Sequence, residues 1–180
     1  MNPHITLILG GARSGKSRFA LGLSPVAPSS ATHSFIATAL AQDEEMKVRI
    51  QKHRQSRSLD WNTREEPYDL LGILRKSARE DASLVVVDCL TLWLSNLLCG
   101  IGGPALSADS IEKKIEELQK EIPRLTGRIL LVSNEVGLGL VPETALGREF
   151  RDLQGRLNQS IAEVSSDIFF LVAGIAQKIK

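Results

Sequence analysis

The chain has little that would bind it to a charged polymer, a membrane or an oxidising compartment. Its 180 residues carry 22 Lys and Arg against 21 Asp and Glu, a formal net charge of +1. That balance leaves no global basic excess to follow a nucleic-acid backbone and no acidic tail. Aromatic residues make up only 4% of the sequence, which argues against a stacking groove for single strands. Cysteine is almost missing: Cys89 and Cys99 sit in apolar stretches without metal-ligand spacing. They supply no disulfide framework and fit a reducing compartment, so a cytoplasmic protein is expected. The longest candidate membrane segment, Leu84 to Leu98, is broken by Asp88, Ser95 and Asn96, and is too short and too polar to span a bilayer. A basic N-terminal region leading into a cleavable apolar segment is also lacking. What is present is 43% hydrophobic residues over a length that fits one domain, residues 1–180, able to bury a core without staples.

Apolar runs of strand length alternate with stretches of helical period. Ile5 to Leu9 is nearly all apolar, as expected of a strand buried on both faces, and Ser34 to Thr38, Leu84 to Asp88, Ile129 to Val132 and Ile168 to Ala173 repeat the pattern. Leu146, Phe150, Leu153, Leu157, Ile161 and Val164 recur at three- and four-residue intervals, which predicts one long amphipathic helix. Ile111, Ile115, Leu118 and Ile122 predict another before it. Alternation of this kind means an α/β fold, a mainly parallel sheet with helices on both sides. Two loops stand out. Ser24 to His33 holds two prolines and cuts the first helix short, and Gly100 to Ser107 reads as a mobile connection without structure of its own. Neither is long enough to divide the chain.

Gly10-Gly11-Ala12-Arg13-Ser14-Gly15-Lys16-Ser17 matches G-x-x-x-x-G-K-[ST] in full, directly after the first strand and at the start of a helix. The glycines let the backbone curl so that successive N–H groups face one phosphate chain, and the helix N-terminus adds its positive end. Lys16 is expected to bridge the outer phosphates and the Ser17 hydroxyl to ligate Mg²⁺. An acidic residue at the end of a neighbouring apolar strand completes such a site, and Asp88 supplies it. Asn134-Glu135-Val136-Gly137 falls beyond another strand, where ligands of open α/β sheets bind. Asp88 and Glu135 are alternatives for the group that deprotonates an acceptor hydroxyl.

The segment Asp43 to Arg57 reads as a helix with acids first and bases last, and Lys47, Arg49, Lys52, Arg54 and Arg57 crowd into it. Met46, Ile50 and His53 share the face that turns inward. Guanidinium groups around an imidazole can neutralise phosphate oxygens while the imidazole attacks phosphorus. His4 and His33 have no such surroundings and are read as surface residues.

Taken together, GGARSGKS (10–17), FIAT (35–38), DEEMKVRIQKHRQSR (43–57), WNTREEP (61–67), VVVDCLTLWLSNLL (85–98), VSNEVGLGLVP (132–142) and FRDLQGRLNQ (150–159) resemble one family over nearly the whole chain. It is the bifunctional adenosylcobinamide kinase / adenosylcobinamide-phosphate guanylyltransferase family. The resemblance implies phosphorylation of adenosylcobinamide with ATP or GTP, then transfer of GMP from GTP onto that phosphate, giving adenosylcobinamide-GDP during assembly of the cobalamin nucleotide loop. It implies that GMP passes through a covalent phosphoramidate on His53. The implied nucleotide contacts are Gly10, Gly11, Ala12, Arg13, Ser14, Gly15, Lys16 and Ser17, then Ala37, Thr38, Ala39, Arg54, Gln55, Ser56, Arg57, Glu65 and Asp88. It further implies Mg²⁺ as cofactor, a three-layer P-loop fold of the recombinase-core kind, and a homotrimer. Two rivals predict different outcomes. A small-molecule kinase with a structural His53 forms no covalent adduct, and a nucleotide-dependent switch would hydrolyse slowly without transfer; the N-K-x-D motif of switch GTPases is missing here.

Overall fold

The buried apolar runs form the middle of a seven-stranded sheet in a computed structural model that describes residues 3–24, 33–40, 61–79 and 84–180. The strands are β1 (His4–Gly10), β2 (His33–Ala37), β3 (Trp61–Glu65), β4 (Leu84–Asp88), β5 (Arg128–Val132), β6 (Asp167–Val172) and β7 (Ile175–Lys178). The helices are α1 (Lys16–Gly22), α2 (Leu70–Arg79), α3 (Leu90–Cys99), α4 (Ala108–Glu121) and α5 (Ala145–Val164), with a 3₁₀ turn at Ile122–Arg124. The strand order is β3-β2-β4-β5-β1-β6-β7. Every pairing is parallel except the terminal β6–β7 hairpin. The expected α/β class and mainly parallel sheet are therefore what the chain forms.

Alternation along the strands sorts their side chains onto two faces. Ile5, Leu7, Ile36, Val85, Val87, Ile129 and Leu131 pack with inward residues of α2, α3, α4 and α5. Ile8, Phe35, Ala37, Val86, Leu130 and Val132 face the other way, where Phe19 and Ala20 of α1 cover them. Side-chain caps set the helix starts: Ser107 accepts from the Ser110 N–H at α4, and Thr144 accepts from the Gly147 N–H at α5. No helix among the described residues is long and apolar enough to cross a membrane.

Three expectations change, and one strand goes beyond them. The polar run Trp61–Glu65 is a strand, because it is an edge whose order comes from backbone pairing with β2 rather than from burial. The loop after α3 is pinned rather than mobile: Gly100 ends the helix at φ 70°, Leu106 N–H donates to Leu97 O at 2.9 Å, and the Tyr68 hydroxyl donates to Pro104 O at 2.9 Å. His33 is buried against Trp61, with ring centroids 5.0 Å apart, and is not a surface residue. Leu146, at the head of the long apolar stripe, is 52% exposed, so the buried stripe of α5 begins a turn later.

Candidate active site

The phosphate loop is held by contacts that its glycines alone permit. Gly10 closes β1 at φ +151°, and a Cβ there would lie 2.5 Å from Leu171 O on β6. Gly15 stands before α1 at φ +98°, and Arg13 between them is also left-handed at φ 56°. Ser14 N–H donates to Gly11 O at 3.3 Å, and Ser14 O accepts from Gly174 N–H at 3.0 Å, so the β6–β7 turn braces the loop from outside. The Lys16 side chain is buried along the loop, its Nζ donating to Gly11 O at 2.6 Å. Ser14 Oγ is buried and has no hydrogen-bond partner among the described residues. A buried hydroxyl within the loop is a donor suited to a phosphate oxygen.

Strand register gathers the other residues implied by the family resemblance. Glu65, Ala37 and Asp88 lie side by side in one row, which continues through Val132 to Ile8, two residues before the loop. Residues in one row point to one face, here the face that α1 covers. Glu65 is exposed, Asp88 half-buried and Ala37 buried. Asp88 does not end a strand neighbouring β1, as the sequence suggested: β5 lies between β4 and β1. The carboxyl end of β5, carrying Asn134 and Glu135, therefore stands between Asp88 and the phosphate loop.

Thr38 is fully buried and engaged within the protein. Its hydroxyl donates to Cys89 O at 2.7 Å and accepts from Cys89 N–H at 2.8 Å, so it joins the exits of β2 and β4. Asn96 on α3 donates to Thr38 O at 2.8 Å and to Pro67 O at 2.9 Å, holding a third strand exit in place. Ala39 follows half-buried. Burial, and next the negative charge of Asp88, pushes the Cys89 thiol up to about 11, against a smaller opposing pull from the Lys16 ammonium. Cys89 is a neutral thiol at pH 7 and no nucleophile.

A second polar cluster, unnoticed in the sequence, surrounds the exit of β5. Ser133 Oγ donates to Asn158 Oδ1 at 2.7 Å and accepts from Gln154 Nε2 at 2.9 Å. Asn158 Nδ2 donates to Asn134 O at 3.0 Å, and Asn134 N–H donates to Thr91 Oγ1 at 2.7 Å. Ser133 N–H continues the ladder to Ile8 O, and Glu135 N–H reaches Gly10 O at 3.1 Å. The signal was available: Gln154 and Asn158 are four residues apart beside Leu153 and Leu157, two amides within an apolar stripe.

His53, Arg54, Gln55, Ser56 and Arg57 lie outside the described residues. Ser17, half-buried in the first turn of α1, and Asp88 offer a hydroxyl and a carboxylate. Both are hard-oxygen donors of the kind Mg²⁺ takes, the ion keeping most of its waters and binding substrate phosphates.

The chain is similar to known proteins over almost its full length. Residues 6–179 match the model of the family described as cobinamide kinase / cobinamide phosphate guanyltransferase. A bifunctional adenosylcobalamin biosynthesis protein, CobP, of Pseudomonas aeruginosa is 47% identical over 174 residues, covering 97% of this chain and 96% of that protein. The bifunctional adenosylcobalamin biosynthesis protein CobU of Salmonella typhimurium is 39% identical, covering 97% and 98%, and that of Escherichia coli is 37% identical with the same coverage. Among solved structures, an ATPase domain superposes with a TM-score of 0.53 at 16% identity, covering 93% of this chain and 69% of its own, a likeness of fold. With a complete phosphate loop and this agreement from end to end, the chain belongs to the cobinamide kinase / cobinamide phosphate guanyltransferase family.

Proposed function

We propose that the protein uses one phosphate-loop site in a single domain for both family reactions, with His53 as the covalent carrier of GMP. The carrying observation is the intact loop with Lys16 laid along it, in a chain that matches the family model over residues 6–179 and carries His53 among Lys52, Arg54 and Arg57. In the kinase reaction, the hydroxyl oxygen of adenosylcobinamide bonds to the γ-phosphorus of ATP or GTP and the bond to the diphosphate breaks. The hydroxyl proton passes to a carboxylate, Asp88 or Glu135. Lys16 and the loop N–H groups hold the charge that spreads over the phosphoryl oxygens. Bound Mg²⁺, on Ser17 and Asp88, would neutralise the β and γ oxygens.

In the second reaction a ring nitrogen of His53 bonds to the α-phosphorus of GTP and pyrophosphate leaves. A phosphate oxygen of adenosylcobinamide phosphate then displaces the imidazole, giving adenosylcobinamide-GDP. A neutral imidazole is the nucleophile, and the cations Arg54 and Arg57 offset the charge on the phosphoryl oxygens and the departing pyrophosphate. Ala37, Thr38, Ala39, Gln55, Ser56 and Glu65 complete the guanine-nucleotide contacts in this reading. In this reading the protein works in the cytoplasm as a homotrimer, with no nucleic-acid partner. Incubation with GTP labelled at the α-phosphate should leave acid-labile, base-stable label on the wild-type protein and none on His53→Ala. Unlabelled wild type that still binds GTP would exclude the covalent route.

A further inference from the structure

The cluster at the exit of β5 is made of groups that a core does not need. The inward stripe of α5 is otherwise Leu153, Leu157 and Ile161, all buried. Gln154 and Asn158 are buried beside them, and Gln154 Oε1 finds no partner among the described residues. Burying amides with incomplete pairing is costly, and apolar residues of like size would pack at least as stably. What the amides add is direction. The side chains of Thr91, Gln154 and Asn158 converge on Ser133 and Asn134, Gln154 Nε2 also donating to Asn158 Oδ1 at 3.0 Å, and both main-chain polar groups of Asn134 are held by side chains, N–H by Thr91 and C=O by Asn158. The next residue, Glu135, has its N–H on Gly10 O, the first residue of the phosphate loop, and its Oε1 accepts from Gly137 N–H at 2.6 Å.

Thr91 sits in the first turn of α3, three residues after Asp88. The network therefore ties the end of β4, which carries Asp88, to the end of β5, which carries Glu135. Glu135 stands next to the loop and Asp88 one strand further out, and these are the two carboxylates considered for the kinase reaction.

We propose that Thr91, Asn158 and Gln154 are positioning residues: through Ser133 and Asn134 they set the place of Glu135 relative to Asp88 and the phosphate loop, and Glu135 receives the hydroxyl proton in the kinase step. The proposal rests on the kinase reading above. With Asp88 assigned to the Mg²⁺ side, the proton passes from the hydroxyl oxygen to Glu135 as the oxygen–phosphorus bond forms and the diphosphate leaves.

Phosphorylation of adenosylcobinamide by ATP with Mg²⁺ tests it, with kcat, KM and GTP affinity measured on each variant. Asn158→Leu, close in volume, should keep GTP affinity within about two-fold and lower kcat about ten-fold or more; the same change on a Glu135→Gln background should alter kcat less than about two-fold. Should Asn158→Leu not fold, a second pair decides the matter: Thr91→Ser keeps the hydroxyl and should keep kcat, whereas Thr91→Val should lose it. Equal loss from Asn158→Leu in both backgrounds, equal kcat for the two Thr91 variants, or an unimpaired Glu135→Gln would overturn the proposal. Wild-type protein that does not phosphorylate adenosylcobinamide would instead overturn the kinase reading beneath it.

Discussion

A methyl group at position 10 would meet Leu171 O at 2.5 Å and Ser14 Oγ at 2.7 Å, in a backbone conformation that L side chains rarely adopt. The obstruction on one side is backbone of β6, which cannot step aside as a flexible side chain would. Gly10→Ala is therefore expected to destabilise the fold by about 1–3 kcal/mol and to weaken nucleotide binding. Gly11→Ala is the control, since a Cβ there meets nothing within 4 Å. Chemical denaturation and GTP titration of the two variants would separate them, and equal stability would contradict the close-approach account. At this scale the motif residues were readable because phosphate binding demands particular residue types at set spacing. Thr91 and Asn96 were not, since their partners lie 29 to 58 residues away in the chain, and spacing carries no trace of such pairs; Gln154 and Asn158 stand out as amides in an apolar stripe, but not their pairing with Ser133 and Asn134.

The terminal hairpin is where electrostatics bears on an element. Asp167 opens β6, accepts from Lys178 Nζ of β7 at 2.5 Å and pairs with His4 Nε2 of β1 at 2.6 Å. The hydrogen bond from Lys178 chiefly, then that from His4, holds its carboxyl below the usual value of 3.8. A carboxyl depressed on folding contributes stability that is present above its unfolded pKa and lost as the pH falls through its folded one. Glu121, held down first by its hydrogen bond from Arg75, acts in the same sense between α4 and α2. Asp167→Asn should therefore flatten the fall in Tm between about pH 5 and pH 2. An unchanged acid limb in thermal melts would mean that this pair contributes nothing. The central strands and α4 and α5 were legible as elements because burial writes itself as apolar runs and stripes. β3 and β7 were not, because edge strands expose their side chains and take their order from a neighbour's backbone.

On the scale of the whole molecule, the apolar surface is unevenly spread. Leu138, Leu140 and Val141 are 82%, 96% and 64% exposed along one loop, and Val172 and Ile175 on the terminal hairpin are 60% and 74% exposed. Exposed apolar side chains of this kind are candidates for burial against another copy, which the proposed homotrimer would require. Light scattering after gel filtration should give three times the 19.7 kDa chain mass, and Leu140→Glu should lower it without altering the far-UV spectrum. A wild-type mass equal to one chain would exclude the trimer. The fold class and the parallel sheet followed from alternation of runs, whereas the placing of β5 between Asp88 and the phosphate loop did not, since strand order depends on which segments pair.

That strand order also bears on how the protein is made. β1 pairs only with β5 and β6, segments that follow it by more than a hundred residues. As the chain leaves the ribosome, the strand that carries the phosphate loop waits, apolar and unpaired, while β2, β3 and β4 already have one another. Formation of the nucleotide site is thus a late event in synthesis, and the exposed run Ile5 to Leu9 is the stretch most in need of a chaperone's cover until then.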